Sequence, residues 1–237
     1  MKPDRSNYIQ FGVSGRIALF SDPLTRAGGE KLSYGVPTYE ALKGICKAIY
    51  WKPTFTWVVD RVRVMNPVRR EARGIRTLKY NNASSNDLSY YTYLTDVHYQ
   101  VEAHFEWNVF HPEFANDRNL AKHSDIAQRA LNAGGRRTPF LGTRECFAFV
   151  EPEAFGDGKG AFDGAGHKEL GFMYHGIRYP DETPDGRAYV GFWHACMDDG
   201  VIVFPRPLEV PVSKPVVMDR AKVFPDPRGL PAKEVFA

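Results

Sequence analysis

An α+β fold is predicted for this chain of 237 residues from three observations. Several segments alternate apolar and polar residues with the period of two that half-buried strands show, and two other segments repeat apolar residues at helical spacing. Hydrophobic residues make up 43% of the chain and charged residues 25%, a composition that can bury a core and differs from that of disordered proteins. The length fits one large domain, or one domain with an appendage, and excludes a string of independent modules.

The first three elements are a strand, a helix and a strand. Apolar residues on odd positions from Ile9 to Leu19 predict the first strand. Thr38 is a suitable helix N-cap, and apolar residues then recur at helical spacing until Lys52-Pro53. The valine-rich run from Phe55 to Met65 predicts the second strand.

A strand, a helix and a further strand complete the predicted domain. The clearest strand runs from Tyr93 to Trp107 and has one apolar and one polar face. The second helix covers roughly Asp117 to Ala133 and stops at Gly134-Gly135, and the fourth strand, Cys146 to Val150, is closed by Pro152. The resulting βαββαβ order is that of ferredoxin-like (RRM-like) folds, so we predict such a domain over residues 1–152.

Charge is distributed unevenly along the chain, and the net charge of +3 conceals this. Arg61 to Lys79 carries seven basic residues against one acidic residue, whereas Glu151 to Gly200 carries four basic and ten acidic residues. The basic segment leads into Asn81–Asp87, a cluster of turn formers that predicts a loop or a hairpin tip outside the core. This basic hairpin excursion is a candidate contact for a polyanion, although most basic runs are only solvated faces.

Residues 153–237 are predicted to form a second unit. Five glycines from Gly156 to Gly166 indicate a flexible bridge. Asp198-Asp199-Gly200 is a hairpin turn signal among short strand-like runs, which predict a small antiparallel β appendage. Seven prolines from Pro205 onward indicate an extended tail with little structure of its own. The strand-like runs are Leu170 to His175, Tyr189 to Met197 and Val201 to Phe204.

The sequence carries no motif for a metal or a cofactor. Three distant cysteines without a C-x-x-C pair argue against a disulfide framework and a zinc knuckle. His98 and His104 share the polar face of the third strand, but six residues along a strand span about 20 Å, too far for one ion, so we interpret both as solvent-facing. No phosphate-binding loop, hydrolase elbow, signal peptide or long apolar run is present. We expect no metal, no cofactor, no membrane contact and a cytoplasmic location.

Cleavage of RNA by its own 2′-hydroxyl is a chemistry compatible with these observations. The substrate supplies the nucleophile, so the protein need only provide a base, an acid and a cation. Tyr50 at the end of the first helix and Lys122-His123 in the second are suitable groups. A structural role also remains open, because His123 lies on the apolar stripe of its helix and Tyr50 precedes Trp51. No RNP1-type aromatic motif is present, so loops and helices would have to carry RNA binding.

Three segments of the chain resemble one known family. They are the run from Tyr34 to Pro53, which includes Ala-Ile-Tyr-Trp-Lys-Pro, the Asn66-Pro67 pair, and Pro-Phe-Leu-Gly-Thr-Arg-Glu-Cys at 139–146. Together they are similar to the CRISPR-associated Cas-five family in its type I-C form (subtype d). The resemblance extends from about Ile9 to the β appendage.

The resemblance implies an endoribonuclease that cuts the repeat hairpin of precursor CRISPR RNA (pre-crRNA) and remains in the type I-C effector (Cascade) complex. Its implied partners are precursor and mature crRNA, the backbone and large subunits, and target DNA within the complex. It also implies an active site formed by Tyr50, Lys122 and His123. The residue chemistry given above leads us to expect that this cleavage needs no metal. We expect phosphate contacts from the basic residues Arg69, Arg70, Arg73, Arg76, Lys79, Arg136 and Arg137.

Each catalytic residue has an expected role, and two other functions remain open. We expect Tyr50 to activate or orient the 2′-hydroxyl, His123 to protonate the leaving 5′-oxygen, and Lys122 to stabilise the phosphorane. The chief alternative is a non-catalytic scaffold, because other branches of the family hold the RNA 5′ handle without cutting it. A small-molecule enzyme of ferredoxin-like fold is the third, and it leaves the basic excursion unexplained.

Overall fold

One large sheet forms the framework of the molecule. The computed structural model describes residues 7–25, 30–79 and 82–216, with the backbone alone between residues 78 and 87. The helices are α1 (Tyr39–Ile49) and α2 (Leu120–Asn132), and 3₁₀ turns cover Pro112–Asp117 and Pro180–Glu182. The strands are β1 (Tyr8–Ala18), β2 (Lys31–Leu32), β3 (Phe55–Val64), β4 (Arg69–Lys79), β5 (Asn82–Trp107), β6 (Phe149–Pro152), β7 (His167–Arg178), β8 (Ala188–Asp198), β9 (Val201–Val203) and β10 (Val212–Val216).

The strands follow the order β10-β8-β9-β3-β5-β1-β6, while β2 and β4 pair with β5 and β7 pairs with β8. Pairing is antiparallel between β3 and β5, β5 and β1, and β1 and β6. Helix α1 precedes β3 and contacts it, and α2 precedes β6 and contacts β6, β1 and α1, so both helices cover one face of the sheet. A mixed structure with a large antiparallel sheet and few helices agrees with the predicted α+β class.

Helix α1 begins and ends where the sequence predicts. The Thr38 hydroxyl accepts a hydrogen bond from the Ala41 N–H, as an N-cap does. At the other end, the backbone N–H groups of Arg136 and Arg137 donate to the Ala48 carbonyl, which α1 leaves without an intrahelical donor. The helix packs on the core through apolar side chains at helical spacing, namely Leu42, Ile45, Cys46 and Ile49.

Helix α2 begins three residues later than predicted. Asn119, rather than a residue before Asp117, is the N-cap, and its side chain accepts from the Lys122 N–H at 3.0 Å. The predicted stop is present, because Gly134 and Gly135 have positive φ values of 79° and 97° that favour glycine. Asp117 therefore lies outside the helix, at the end of a 3₁₀ turn.

The basic segment is a strand, and the predicted loop after it is largely strand as well. β4 pairs with the first half of β5, from Arg69 opposite Thr95 to Lys79 opposite Asn82. Residues 82–87 belong to β5 although their composition favours turns, because a paired strand supplies backbone hydrogen bonds that outweigh weak propensity. Residues 80 and 81, at the turn itself, lie outside the described residues.

The polar face of β5 is partly covered, and the interpretation of His104 as solvent-facing was wrong. His104 is 1% exposed. The His98 side chain is 29% exposed, and its Nε2 lies 2.8 Å from the Glu153 carboxylate. The chain after β6 returns across this face, where the Gln100 amide donates to Glu153 and to the Asp157 carbonyl. Alternation identified the polar face, but not the segment that packs on it.

The glycine-rich bridge is hydrogen-bonded to the sheet. The buried guanidinium of Arg63 donates to the carbonyls of Asp157 and Gly158 and to the carboxylate of Asp163. One side chain from β3 thus donates hydrogen bonds to four acceptor atoms in the bridge.

The appendage continues the main sheet. Strands β7, β8 and β9 occupy the predicted runs, and Asp199 and Gly200 have the positive φ values of a tight hairpin turn. β9 pairs with β3, with Val203 opposite Arg61. β10 pairs with β8, so the expectation of little structure after Pro205 was wrong for residues 212–216. Residues 217–237 of the predicted tail lie outside the described residues.

Both helices in the described part of the chain are too short to cross a membrane.

Candidate active site

Tyr50 is the residue at which α1 ends. Its backbone is extended, and its N–H still donates to the Cys46 carbonyl, which makes it the C-cap. The Tyr50 carbonyl accepts from Trp57 Nε1 at 2.7 Å, so the end of α1 is tied to β3. The side chain is 1% exposed, and its hydroxyl faces His123.

His123 lies in the first turn of α2 and is fully buried. Its Nδ1 is 2.8 Å from the Tyr50 hydroxyl, and its Nε2 is 2.7 Å from the Asp117 carbonyl oxygen. A carbonyl only accepts, so in the neutral ring Nε2 carries the proton and Nδ1 accepts the Tyr50 hydroxyl proton. The rings of Phe55 and Trp107 pack edge-on against the imidazole and keep water from the pair.

Sequence reasoning missed Asp117, which organises the exposed side of this site. Its carboxylate accepts hydrogen bonds from Lys122 Nζ and, at 2.9 Å, from Thr54 Oγ1. The same carboxylate lies 3.3 Å from His123 Nε2. The 3₁₀ turn and the Asn119 cap fold Asp117 back over the first turn of α2. Asn119 was the signal in the sequence that could have revealed this: it is a favourable N-cap, and a helix that begins after it leaves Asp117 just outside the first turn.

The surroundings fix the charge of three of these groups. Burial raises the pKa of Tyr50, and the nearby Arg136 guanidinium only partly opposes this effect. The hydrogen bond from Lys122 lowers the pKa of Asp117, and the same contact raises the pKa of Lys122. At neutral pH the site therefore contains a phenol, a carboxylate and an ammonium group.

Arg136 and Arg137 differ in their relation to the site. The Arg136 guanidinium lies over the Tyr50 ring, 4.7 Å from its centroid. Arg137 instead lines a neighbouring cleft. Their backbone N–H groups donate to the Ala48 carbonyl, which fixes this loop on the end of α1.

The hairpin arginines divide between the two faces of β4, because side chains alternate along a strand. Arg69 and Arg73 share one face, and each forms an ion pair with an acidic neighbour. Arg70 and Arg76 share the other face and form no ion pair with a described residue. Within the described residues, no hydrogen bond, ion pair or ring contact joins these arginines to the predicted catalytic trio. The Lys79 side chain lies outside the description.

One group in the described part of the chain has the side chains of a metal site. Ligand atoms of His167, Cys196 and Asp198 lie within 4.8 Å of one another at the end of the β7–β8 pair. His167 and Asp198 are exposed and already form a hydrogen-bonded ion pair at 2.6 Å. This group lies on different elements from Tyr50 and His123, and none of the predicted catalytic residues belongs to it.

The chain belongs to the CRISPR-associated Cas5 family, as the sequence predicted. The model for Cas5d, described as CRISPR-associated protein (Cas_Cas5), matches residues 8–205. A relative from Mannheimia succiniciproducens is 30% identical in an alignment of 226 positions that covers 84% of this chain and 96% of the relative. A relative from Thermus thermophilus is 31% identical in an alignment of 230 positions that covers 87% of this chain and 92% of the relative. Both are named CRISPR pre-crRNA endoribonuclease Cas5d.

Two solved structures are similar to this chain over most of their length. One is described as the crystal structure of a CRISPR-associated protein, with a TM-score of 0.74. The other is a functionally uncharacterized protein from Streptococcus mutans, with a TM-score of 0.72. Each is 36% identical to this chain and covers 87% of it and 96% of its own length.

Proposed function

We propose that this chain is a metal-independent endoribonuclease that cuts the repeat hairpin of pre-crRNA. The observation that carries the proposal is the 2.8 Å hydrogen bond between the Tyr50 hydroxyl and His123 Nδ1, beside the Lys122 ammonium group. A proton acceptor and a cation are two of the three groups that RNA cleavage by its own 2′-hydroxyl uses, and in this site water serves as the acid. The names of the two curated relatives, both pre-crRNA endoribonucleases, support the same reaction.

The Tyr50–His123 pair activates the 2′-hydroxyl in this mechanism. Tyr50 keeps its proton at neutral pH and donates it to His123 Nδ1. The Tyr50 oxygen takes the proton of the 2′-hydroxyl as its own proton moves to His123. The 2′-oxygen then bonds to phosphorus and the bond to the 5′-oxygen breaks. The products are a 2′,3′-cyclic phosphate and a 5′-hydroxyl that takes its proton from water. After the products leave, His123 returns its extra proton to the Tyr50 oxygen, which releases its former proton to the incoming water.

This mechanism gives His123 a different role from protonating the leaving oxygen. A fully buried ring whose Nε2 is held by the Asp117 carbonyl cannot contact the 5′-oxygen, so it acts through Tyr50. Lys122 has half of its side chain exposed, so it is the group that faces the phosphorane and stabilises its charge. Asp117 holds Lys122 and His123 in their relative positions.

Arg136 controls access to Tyr50 in this account. Its guanidinium covers the Tyr50 ring, while its backbone is fixed on α1. A phosphate binds a guanidinium more strongly than a ring face does. The side chain therefore moves onto the scissile phosphate when RNA binds, and this movement uncovers Tyr50.

The finer organisation of the chain follows the same proposal. The order β3-β5-β1-β6, with α1 before β3 and α2 before β6, supports a ferredoxin-like RNA-processing domain over residues 1–152. Residues 153–237 would then be a second unit that meets protein partners. These partners would be the other subunits of the type I-C effector complex, which holds the mature crRNA, contacts target DNA and works in the cytoplasm.

A non-catalytic scaffold that holds crRNA is the second candidate function. The observation that favours it is the burial of Tyr50 and His123, which are 1% and 0% exposed, as expected of a structural core pair.

Incubation of repeat RNA with the purified full-length chain in excess EDTA tests the proposal. We expect cleavage in EDTA, with a 2′,3′-cyclic phosphate and a 5′-hydroxyl at the cut, detected on a denaturing gel with end-specific labelling. Tight binding without cleavage, with or without divalent cations, would establish the scaffold instead. Cleavage that EDTA abolishes and added magnesium restores would contradict the metal-independent mechanism.

A further inference from the structure

Four side chains of types that bind metals share the outer face of the β7–β8 pair. His167 lies directly opposite Asp198, and Glu169 lies directly opposite Cys196. Because side chains alternate along a strand, these two neighbouring pairs point the same way, while Met197 points inward and is buried. Sequence patterns did not predict this group, since the register of two strands brings its members together.

Three of the four residues offer ligand atoms close enough for one ion. The ligand atoms of His167, Cys196 and Asp198 all lie within 4.8 Å of one another. Atoms that bind the same tetrahedral zinc ion are about 3–4 Å apart. All three side chains are at least partly exposed, so small rotations bring the atoms to that spacing.

The imidazole of His167 is oriented from both sides. Its Nδ1 lies 2.6 Å from Asp198 Oδ1, and its Nε2 lies 2.9 Å from Glu169 Oε1. A histidine that binds a metal through one ring nitrogen usually donates the N–H of the other nitrogen to a carboxylate. Glu169 is placed to accept that N–H when Nδ1, on the side of Asp198, serves as the ligand atom.

Hydrogen bonds fix the backbone beneath this group. The Asp199 N–H donates to the Gly166 carbonyl at 3.1 Å, and the Gly166 N–H donates to the Asp199 carboxylate at 2.8 Å. These two bonds close the end of the β7–β8 pair, next to His167 and Asp198. A metal ion would therefore have to order side chains only, which lowers the entropic cost of binding.

The group is also rich in negative charge. Glu169 and Asp198 share His167 as their ion-pair partner, and neither pairs with a lysine or an arginine in the described part of the chain. A divalent cation would neutralise both carboxylates.

A second exposed histidine provides a comparison. His111 lies between two carboxylates as well, 2.6 Å from Glu113 and 3.8 Å from Asp181. The chain has three cysteines, of which Cys46 and Cys146 are buried and Cys196 belongs to the β7–β8 group. The thiol therefore distinguishes this group from an ordinary pairing of histidine with carboxylates.

We propose that His167, Cys196 and Asp198 bind one Zn²⁺ ion, with Glu169 holding the imidazole and water in the fourth position. Cys196 binds as the thiolate and releases its proton to solvent. Imidazole and thiolate ligands favour Zn²⁺ over Mg²⁺ and Ca²⁺, which bind oxygen atoms. The ion links the first residue of β7 to the end of β8, and so stabilises the appendage where the glycine-rich bridge enters it.

Zinc titration of the full-length chain tests the proposal. The chain is treated with EDTA, dialysed free of the chelator and titrated with ZnCl₂ by calorimetry under reducing conditions. We expect one Zn²⁺ per chain with a Kd of about 1 µM or below, and no binding of MgCl₂. Cys196→Ser and His167→Ala should each weaken zinc binding at least about 100-fold, whereas Glu169→Ala should weaken it about tenfold, because it removes only the contact to the ring.

His111→Ala is the matched control. It removes an exposed histidine that has the same 2.6 Å contact with a carboxylate but no thiol beside it. Zinc affinity and stoichiometry should therefore stay as in the wild-type chain.

Two measurements on the folded chain do not depend on how the variants fold. Cys46 and Cys146 are buried, so iodoacetamide reports on Cys196, and Zn²⁺ should slow its modification at least about tenfold. Zn²⁺ should also raise the Tm of the wild-type chain and leave the Tm of Cys196→Ser unchanged.

Three results would overturn the proposal. The first is the absence of zinc binding by the wild-type chain at about 100 µM Zn²⁺. The second is equal zinc affinity in the wild-type chain and Cys196→Ser, and the third is loss of zinc binding in His111→Ala. The proposal does not rest on RNA cleavage, since the group shares no residue with the predicted catalytic trio.

Discussion

Two buried histidines of this chain have different partners. His104 lies between two carboxylates, 2.7 Å from Asp60 and 3.3 Å from Glu106, whereas His123 lies between a tyrosine hydroxyl and a backbone carbonyl. Burial alone would lower the pKa of His104, but its hydrogen bonds to the two carboxylates raise it to about 9. His104 is therefore a fixed cation with both N–H groups donated, while His123 keeps an acceptor nitrogen. Partners, rather than burial, distinguish a histidine that holds the fold from one that can move a proton.

The largest effect is expected for His123→Ala. Removal of the proton acceptor should lower the rate of repeat RNA cleavage about 1,000-fold. It should also lower the free energy of unfolding by about 2–4 kcal/mol, because it leaves a cavity and an unpaired Tyr50 hydroxyl. Single-turnover cleavage and urea denaturation measure the two effects, and cleavage at the wild-type rate would remove His123 from the reaction.

Lys122→Ala separates the exposed part of the site from the buried part. Loss of the ammonium group should slow cleavage about 100-fold. Stability should change little, because half of this side chain is exposed and its ion pair with Asp117 lies at the surface. Thermal melting and single-turnover cleavage test both expectations. A large loss of stability with normal cleavage would show that Lys122 has a structural role and not a catalytic one.

Charge removal on the hairpin should weaken binding without slowing the chemistry. Arg70→Ala combined with Arg76→Ala removes two cations that lie on the same face of β4. RNA affinity should fall about tenfold, and the slope of log affinity against log salt should become shallower by about 1.4–1.8. Titration at several salt concentrations measures this, with Lys168→Ala combined with Lys214→Ala on the appendage as the control. An unchanged slope would exclude this face of the hairpin from RNA binding.

His104→Gln should leave cleavage unchanged and alter only the pH dependence of stability. The pKa of His104 is raised in the folded chain, so its stabilising contribution is complete below pH 6.5 and is lost as the pH rises through about 9. The variant should be less stable than the wild type by about 3 kcal/mol at pH 6 and nearly equal to it at pH 10. Urea denaturation at both pH values measures this. Loss of cleavage in a folded variant would show that His104, like His123, takes part in the reaction.

Local patterns predicted most of the elements. The strand at β1, the cap and stop of α1, and the alternation of β5 each depend on neighbours in sequence, so they can be inferred from it. The family was also predictable, because the blocks around Tyr50 and at 139–146 are distinctive. Gly142 illustrates why: its φ is 91°, and a Cβ there would lie 2.1 Å from the Leu19 carbonyl oxygen.

Contacts between segments that are distant in the sequence could not be predicted from sequence patterns. Tyr50 and His123 are 73 residues apart in the sequence. Only the fold brings the Tyr50 hydroxyl to within 2.8 Å of His123 Nδ1. Asp117 was missed because the start of α2 depends on which nearby side chain caps it. The burial of His104 could not be inferred because its neighbours come from distant segments, Asp60 in β3 and the ring of Tyr8 in β1.

In the proposed mechanism, the Tyr50 hydroxyl passes a proton between RNA and His123. Tyr50→Phe isolates this step, because the substitution removes one oxygen atom and keeps the ring. Single-turnover cleavage of saturating repeat RNA should fall at least 100-fold, while RNA affinity stays unchanged and the free energy of unfolding falls by no more than about 2 kcal/mol. Cleavage by this variant at the wild-type rate would contradict the account.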